Sequence, residues 1–171
     1  IKGTEELDPD DILDVMETHA QSLFSILHRG FFKQEEFDLD LERIMLYCRS
    51  EGYLDMKILD ADRTIIDDGA GLDIIITISE GKRYYAGEVR VVGNENFPVE
   101  DLKALLPLKT GEVFSPEALR QDSRALRDFY FSRGYIDVDI RPKTVLNQKT
   151  GRMDITYAIR ENRISYINRI D

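Results

Sequence analysis

The chain has 171 residues, and its 23 lysines and arginines against 33 aspartates and glutamates give a net charge of −10 at pH 7. Such an acidic surface repels phosphate groups, which argues against nucleic-acid binding and against docking on anionic lipid. Apolar runs such as residues 74–76, extended to Ile78, are far shorter than the roughly 20 residues that span a membrane. A single cysteine, Cys48, excludes an internal disulfide and leaves the redox compartment open.

An internal repeat runs through the chain at an offset of 82 residues, which shortens to 81 after a loop. The sharpest match joins Gly-Tyr-Leu-Asp at residues 52–55 to Gly-Tyr-Ile-Asp at residues 134–137. The first copy carries eight extra residues near 21–30. Further matched positions of the two copies follow the same order: Phe32 with Phe114, Phe37 with Leu119, Cys48 with Tyr130, Ile58 with Ile140, and Glu80 with Glu161.

The first copy predicts two helices and a hairpin. Asp8 is a good N-cap with Pro9 in the first turn, and Gly52 is a left-handed C-cap for the second helix. Residues 56–59 alternate as a strand and residues 72–78 form the return strand. Between the strands lies the turn sequence Asp67-Asp68-Gly69. The second helix is predicted by apolar residues at helical spacing: Phe37, Leu41, Ile44 and Cys48.

The second copy repeats this order behind a complete first strand at residues 88–92, which Gly93-Asn94 ends. A short helix starts near Val99 and ends before Pro107, and a longer helix starts at the N-cap Ser115. Strands at 138–141 and 153–159 flank a turn at 147–151. Gly134 is the left-handed C-cap of the longer helix. Residues at helical spacing form one face of that helix: Leu119, Ser123, Leu126 and Tyr130.

These elements predict an α+β fold of two tandem modules, each β-α-α-β-β with two helices on one face of a three-stranded mixed sheet. The expected modules are residues 1–84, with most of the first strand missing, and residues 85–164. Residues 165–171 match the start of a third first strand. The chain is therefore expected to be a middle piece of a longer array.

The repeat resembles the polypeptide-transport-associated (POTRA) domain over the whole chain. The resemblance rests on Gly93-Asn94, on Gly-x-x-Phe at 111–114, on Tyr-x-x-x-Gly-Tyr at 130–135, and on the closing Glu80-Gly81. The chain departs from this pattern at two positions, which both accept alternatives: Cys48 stands where the second copy has Tyr130, and Asn162 stands where the first copy has Gly81.

This resemblance implies a location and a set of partners. Tandem POTRA domains form the periplasmic arm of outer-membrane β-barrel assembly factors, where the full-length chain ends in a membrane barrel. The insertion near residues 21–30 resembles the third of five such domains, which would make the second copy the fourth. The implied partners are unfolded outer-membrane proteins, accessory assembly lipoproteins and the C-terminal barrel of the same chain, with no nucleic acid and no cofactor.

The resemblance also implies a binding site, because the second strand of this family lies at the edge of its sheet. An open edge can accept an extended client strand through backbone hydrogen bonds, with little dependence on client sequence. A structural spacer arm of a related translocation pore, which binds folded partners only, is the alternative function. The predicted edge residues are Asp55, Met56, Lys57, Ile58, Leu59, Asp137, Val138, Asp139, Ile140 and Arg141.

Other residue patterns favour structural roles. His19 and His28 lack the third ligand that a zinc site needs, and the aspartates around Asp60 lack the glycine and glutamate of a calcium loop. Cys48 lies on an apolar helix face, which predicts a core thiol. Tyr53 and Tyr135 are expected to pack where a helix meets a strand. No nucleophile, base and orienting group occur together, so the chain is predicted not to be an enzyme.

Overall fold

The structure is a computed structural model that describes residues 1–18, 33–66 and 71–164. The chain divides into two compact units, Ile1–Arg83 and Tyr84–Asp171. Several predicted features lie outside the described residues: the insertion near 21–30, Phe32, His19 and His28, the turn at 67–69, and the strand start at 165–171.

The first unit contains helices α1 (Pro9–Asp14) and α2 (Gln34–Ser50) and strands β1 (Lys57–Ile66) and β2 (Gly71–Ser79). β1 and β2 pair antiparallel. Lys2 forms a parallel bridge to β2 on its other side, since its N–H donates to Ile76 O and its carbonyl accepts from Ile78 N, both at 2.8 Å. One residue therefore occupies the place of the expected first strand.

The second unit has the complete set of elements. Strand β3 (Ala86–Val92) precedes helices α3 (Val99–Leu105) and α4 (Pro116–Phe131), and strands β4 (Asp139–Asn147) and β5 (Arg152–Arg160) follow. The sheet order is β3-β5-β4, with β3 parallel and β4 antiparallel to β5. This α+β arrangement with a mixed sheet confirms the predicted fold class.

The helices begin and end where local sequence signals place them. Asp8 caps α1 by accepting from Asp10 N at 2.9 Å, and the Ser115 hydroxyl caps α4 by accepting from Ala118 N at 3.1 Å. α2 and α4 end alike, because the N–H of each following tyrosine reaches back five residues across a left-handed glycine. The bonds are Tyr53 N to Cys48 O at 2.9 Å across Gly52, and Tyr135 N to Tyr130 O at 3.1 Å across Gly134.

Each unit buries one face of its longer helix against its sheet. Cys48 is fully buried in the first unit, which confirms that it packs in the core, and burial raises the pKa of its thiol to about 11. Tyr53 and Tyr135 are buried, as expected for the corner between helix and strand. The largest fully buried apolar and aromatic side chains are Tyr53, Phe37, Ile12, Ile44 and Ile78 in the first unit and Leu102, Leu106, Leu126, Tyr130, Ile155 and Tyr157 in the second.

Candidate functional site

Strand β1 is the open edge of the first sheet, since within the described residues it pairs only with β2. Ile76 and Ile78 direct their backbone groups toward Lys2, so the intervening residue, Thr77, faces β1. Because the N–H and C=O groups of successive strand residues point to opposite sides, those of Asp60, which pairs with Thr77, point inward, toward β2. Those of Ile65 point outward, on the side where another strand can add.

Part of this edge is shielded by its own residues. The register of β1 shifts between Ile58 and Asp60, which leaves Leu59 as an extra, exposed residue in a β-bulge. Directly after the bulge, the N–H of Ala61 donates to the Asp60 carboxylate at 2.8 Å. The bulge lets Ile58 and Ala61 both pack toward the core although they are three residues apart. The regular part of the open edge therefore lies beyond Ala61.

Strand β4 is an edge of the second sheet, and a proline interrupts it. Met153 N donates to Tyr85 O at 2.9 Å, so Met153 and, by alternation, Tyr157 face β3. Pro142 pairs with Tyr157 and therefore faces the open side, where it has no N–H to offer. Thr144 is the next outward residue. Pro142 thus leaves a gap in the outward row of donors.

The predicted edge residues divide between the strands and the turns that precede them. β1 begins at Lys57 and β4 at Asp139, so Asp55, Met56, Asp137 and Val138 precede the strands. The reason is that Met56 N donates to Tyr53 O and Val138 N to Tyr135 O, both at 3.3 Å, in turns that close the preceding helices. The residues within the strands are Lys57, Ile58, Leu59, Asp139, Ile140 and Arg141.

Two buried glutamates occupy equivalent positions of the repeat, and the sequence patterns had predicted no role for them. Glu80 accepts from the backbone N–H groups of Glu5 and Leu7 at 2.6 and 2.9 Å. Glu161 accepts from Glu95 N at 3.0 Å and from the Tyr130 hydroxyl at 2.8 Å. Each carboxylate fixes the loop near its unit's first strand position. Their recurrence as the closing glutamate of the repeat was the available signal.

The surroundings of Glu161 determine its charge state. Burial alone would raise the pKa of its carboxyl, but hydrogen bonds from Tyr130 and Asn96 hold that pKa below its usual value. Burial and the hydrogen bond to Glu161 raise the pKa of Tyr130. The pair is therefore a neutral phenol donating to a carboxylate, which is a strong type of hydrogen bond.

Replacing Tyr130 with phenylalanine is expected to destabilise the second unit by about 1.5–3 kcal/mol, the range for hydrogen bonds to charged groups. Urea denaturation followed by amide signals of that unit measures the loss. Tyr85→Phe is the matched control, because Tyr85 is 38% exposed and the change removes the same oxygen. Equal effects of the two substitutions would show that the Glu161 bond contributes nothing.

A second pair of buried carboxylates, Asp40 and Asp122, also lies at equivalent positions. Asp40 accepts from Glu17 N at 2.7 Å, from Thr18 N at 2.9 Å and from the Arg43 guanidinium at 2.5 Å. The available signal was the identity of the two residues at the offset of 82.

Asp122 has different partners, since it accepts from Leu108 N at 3.0 Å and from the Tyr157 hydroxyl at 2.5 Å. The first copy carries Ile76 where the second has Tyr157, so a phenol is available only to Asp122. Burial is the largest influence on Asp122 and raises its pKa. The buried carboxylate at this position of the repeat thus accepts a side-chain hydrogen bond from a guanidinium in the first unit and from a phenol in the second.

Within residues 1–18, 33–66 and 71–164, no group of three or more histidine, cysteine, aspartate and glutamate side chains is placed to hold a metal ion. None of the helices in that part of the chain is long and apolar enough to cross a membrane.

Comparison with known families gives a match over both units. The POTRA family model, described as "Surface antigen variable number repeat", matches residues 1–81 and 84–162. The chain therefore belongs to the POTRA family, as two consecutive domains.

Its relatives include outer-membrane assembly factors. The chain is 27% identical to the outer membrane protein assembly factor BamA of Nitratidesulfovibrio vulgaris, covering 99% of this chain and 22% of that protein. It is 29% identical to the BamA of Neisseria meningitidis serogroup B, covering 81% of this chain and 18% of the relative. The chain thus spans about a fifth of the length of these relatives.

A crystal structure of Haemophilus influenzae BamA POTRA3-5 shares the fold. Its TM-score to this chain is 0.64 at 22% identity, over 95% of this chain and 64% of the other. The two units are accordingly tandem POTRA domains similar to those of BamA-type factors.

Proposed function

We propose that these two domains are non-enzymatic, periplasmic modules of an outer-membrane protein assembly factor, and that they receive unfolded barrel proteins by weak β-strand addition. The relatives' assembly role and the open edge of β1 support this. The observation that carries the proposal is that the outward side of β1 beyond Ala61 has no pairing strand among the described residues. Backbone pairing suits a receptor for many different clients.

The proposal extends to the wider assembly, and the relatives' description as outer membrane protein assembly factors supports it. The full-length chain would end in a membrane β-barrel at the outer membrane, and these domains would lie on its periplasmic side. Accessory assembly lipoproteins would dock on the domains as folded partners. The two units would be a third and a fourth domain of the arm.

A structural spacer is the second candidate function, and specific features favour it for the second unit. Proteins protect open edges with prolines and bulges that prevent another strand from adding. Pro142 provides such protection on β4, and the bulge at Leu59 protects only the start of β1. Client binding is therefore assigned mainly to β1.

A proline at an outward residue tests the proposal. Ile65→Pro is expected to weaken binding of a barrel-derived strand peptide about tenfold, because it removes an outward donor and adds bulk at the edge. Ile65→Thr keeps the N–H and is the matched control, with less than about a twofold effect. Proline at Lys57 or Asp139 is a poorer test, since both residues pair inward and the change would damage the sheet.

Proton–nitrogen NMR titration measures these affinities residue by residue and shows that each variant stays folded. Near-millimolar shifts of β1 amides that Ile65→Pro removes would support strand addition. The Thr144→Pro variant on β4 should change little, because Pro142 already interrupts that edge. No shift at several millimolar peptide would favour the spacer instead.

A further inference from the structure

The net negative charge of the chain lies in the first of its two units. Residues 1–83 contain 9 basic and 20 acidic side chains, for a net charge of −11. Residues 84–171 contain 14 basic and 13 acidic side chains, for a net charge of +1. Two domains with one fold and matching elements therefore present different electrostatic surroundings to any partner.

The open strand of the first unit carries carboxylates. Ile58 and Ala61 pack against the core, so Asp60 and Asp62 lie on the opposite, helix-free face of β1. Both are exposed. Asp73, also exposed, lies on the same face of the neighbouring strand β2, where it pairs with Thr64. A strand added along the regular part of β1, beyond Ala61, would have its own side chains next to Asp62 on that face, and a strand that also reaches the bulge would pass Asp60.

The open strand of the second unit carries cations at the equivalent place. Ile140 is buried, so Arg141 and Lys143 lie on the helix-free face of β4, and both are exposed. Asp139 forms an ion pair with Arg141 at 2.8 Å and also pairs with Arg160 across the sheet. Across this face of β4 and β5 the cations outnumber the carboxylates, so the local charge is positive: Arg141, Lys143, Arg152 and Arg160 against Asp139 and Asp154.

We propose that the two edges discriminate between client strands by charge. The β1 edge selects strands with basic residues at alternating positions, and the β4 edge, where only short stretches can pair because of Pro142, selects strands with acidic ones. This inference rests on the proposed function, because it concerns the same strand-addition sites. Opposite charges directly across neighbouring strands are stabilising and like charges are destabilising, so two such positions should change the affinity about fivefold.

Two synthetic strand peptides test this inference. They share one apolar alternation, and their polar positions carry lysine in one peptide and glutamate in the other. The lysine peptide is expected to bind the β1 edge about fivefold more tightly than the glutamate peptide, with the opposite order at β4. Amide shifts of the intact chain report both edges in one NMR titration. The preference should shrink at high salt, since these side chains are exposed.

A matched pair of variants separates the edge from the overall charge. Asp62→Lys on β1 should weaken the lysine peptide about fivefold, whereas Asp73→Lys on β2 changes the net charge equally and should cost less than about twofold. Equal effects of the two variants would overturn the inference. Equal binding of both peptides at both edges would overturn the inference and leave strand addition standing. No binding of either peptide would overturn the proposed function, and the inference with it.

Discussion

Gly93→Ala is expected to destabilise the second unit by about 3 kcal/mol or more, from left-handed backbone strain and steric overlap together. Gly93 has a φ of +81°, a conformation that side-chain-bearing residues rarely adopt. A Cβ there would stand 2.2 Å from the carbonyl oxygen of Ile159. That atom belongs to strand β5 and cannot rotate away, so the end of β3 would have to separate from β5.

Gly111→Ala separates the two contributions. Gly111 has a φ of +92°, but a Cβ added there would meet no atom within 4 Å, so its substitution carries the backbone strain alone. We expect a loss of about 1–2 kcal/mol there. Chemical denaturation of both variants gives the difference, which measures the close approach of Gly93 to β5. Equal losses would contradict the steric argument.

Asp40→Asn is expected to destabilise the first unit by about 2–4 kcal/mol at pH 7, the range for breaking a buried, charged network. The asparagine amide would place a donor group near Arg43 and the N–H groups of Glu17 and Thr18, which are donors themselves. Hydrogen exchange of amides in α2 and β2 measures the loss in the first unit separately from the second.

Acid should remove the same stabilisation in the unmodified chain. Burial alone would raise the pKa of Asp40, but hydrogen bonds from Thr18, Glu17 and Arg43 lower it from 3.8 to about 2. A folded-state pKa below the unfolded value stabilises the fold above the unfolded value. We therefore expect about 2–3 kcal/mol to be lost as the pH falls from about 4 through about 2.

Asp122→Asn is the matched control at the equivalent position. Burial raises the pKa of Asp122, so its contribution is greatest below the unfolded value and is lost as the pH rises through the folded value. Removing this charge should cost the second unit less than about 1 kcal/mol at pH 7, because an amide can still accept from Leu108 N and donate to the Tyr157 hydroxyl oxygen. Equal losses at Asp40 and Asp122 would contradict the assigned networks.

The local parts of the fold could be predicted because their causes are local. Asp8 and Ser115 satisfy backbone donors within three residues, and Gly52 and Gly134 supply the left-handed turns that end α2 and α4. The departure from the repeat at Asn162 also has a local cause, since asparagine tolerates the left-handed backbone and adopts a φ of 56° at the position of Gly81. Helix periodicity likewise indicated the buried faces.

The buried carboxylates illustrate what required the tertiary structure. Asp40 and Asp122 are one position of the repeat, yet Arg43 and two backbone groups surround one and Tyr157 contacts the other. Arg43 lies three residues after Asp40 on α2, a spacing visible in the sequence. The two backbone N–H groups and the Tyr157 hydroxyl come from other parts of each unit, which sequence spacing could not indicate. Burial acts to raise the pKa of both carboxyls, and the opposite net directions arise because the hydrogen bonds to Asp40 outweigh burial whereas those to Asp122 do not.

The candidate edges divide in the same way. The amino-acid sequence by itself determined the repeat, the helix ends and the fold class, and the family resemblance implied an edge strand in each domain. Only the tertiary structure decided which backbone groups face outward, because that direction depends on the strand pairing. The bulge at Leu59 changes the alternation within β1, and the pairing with Tyr157 turns Pro142 toward the open side of β4. An accessible edge is a property of two paired strands, and neither strand's sequence contains it alone.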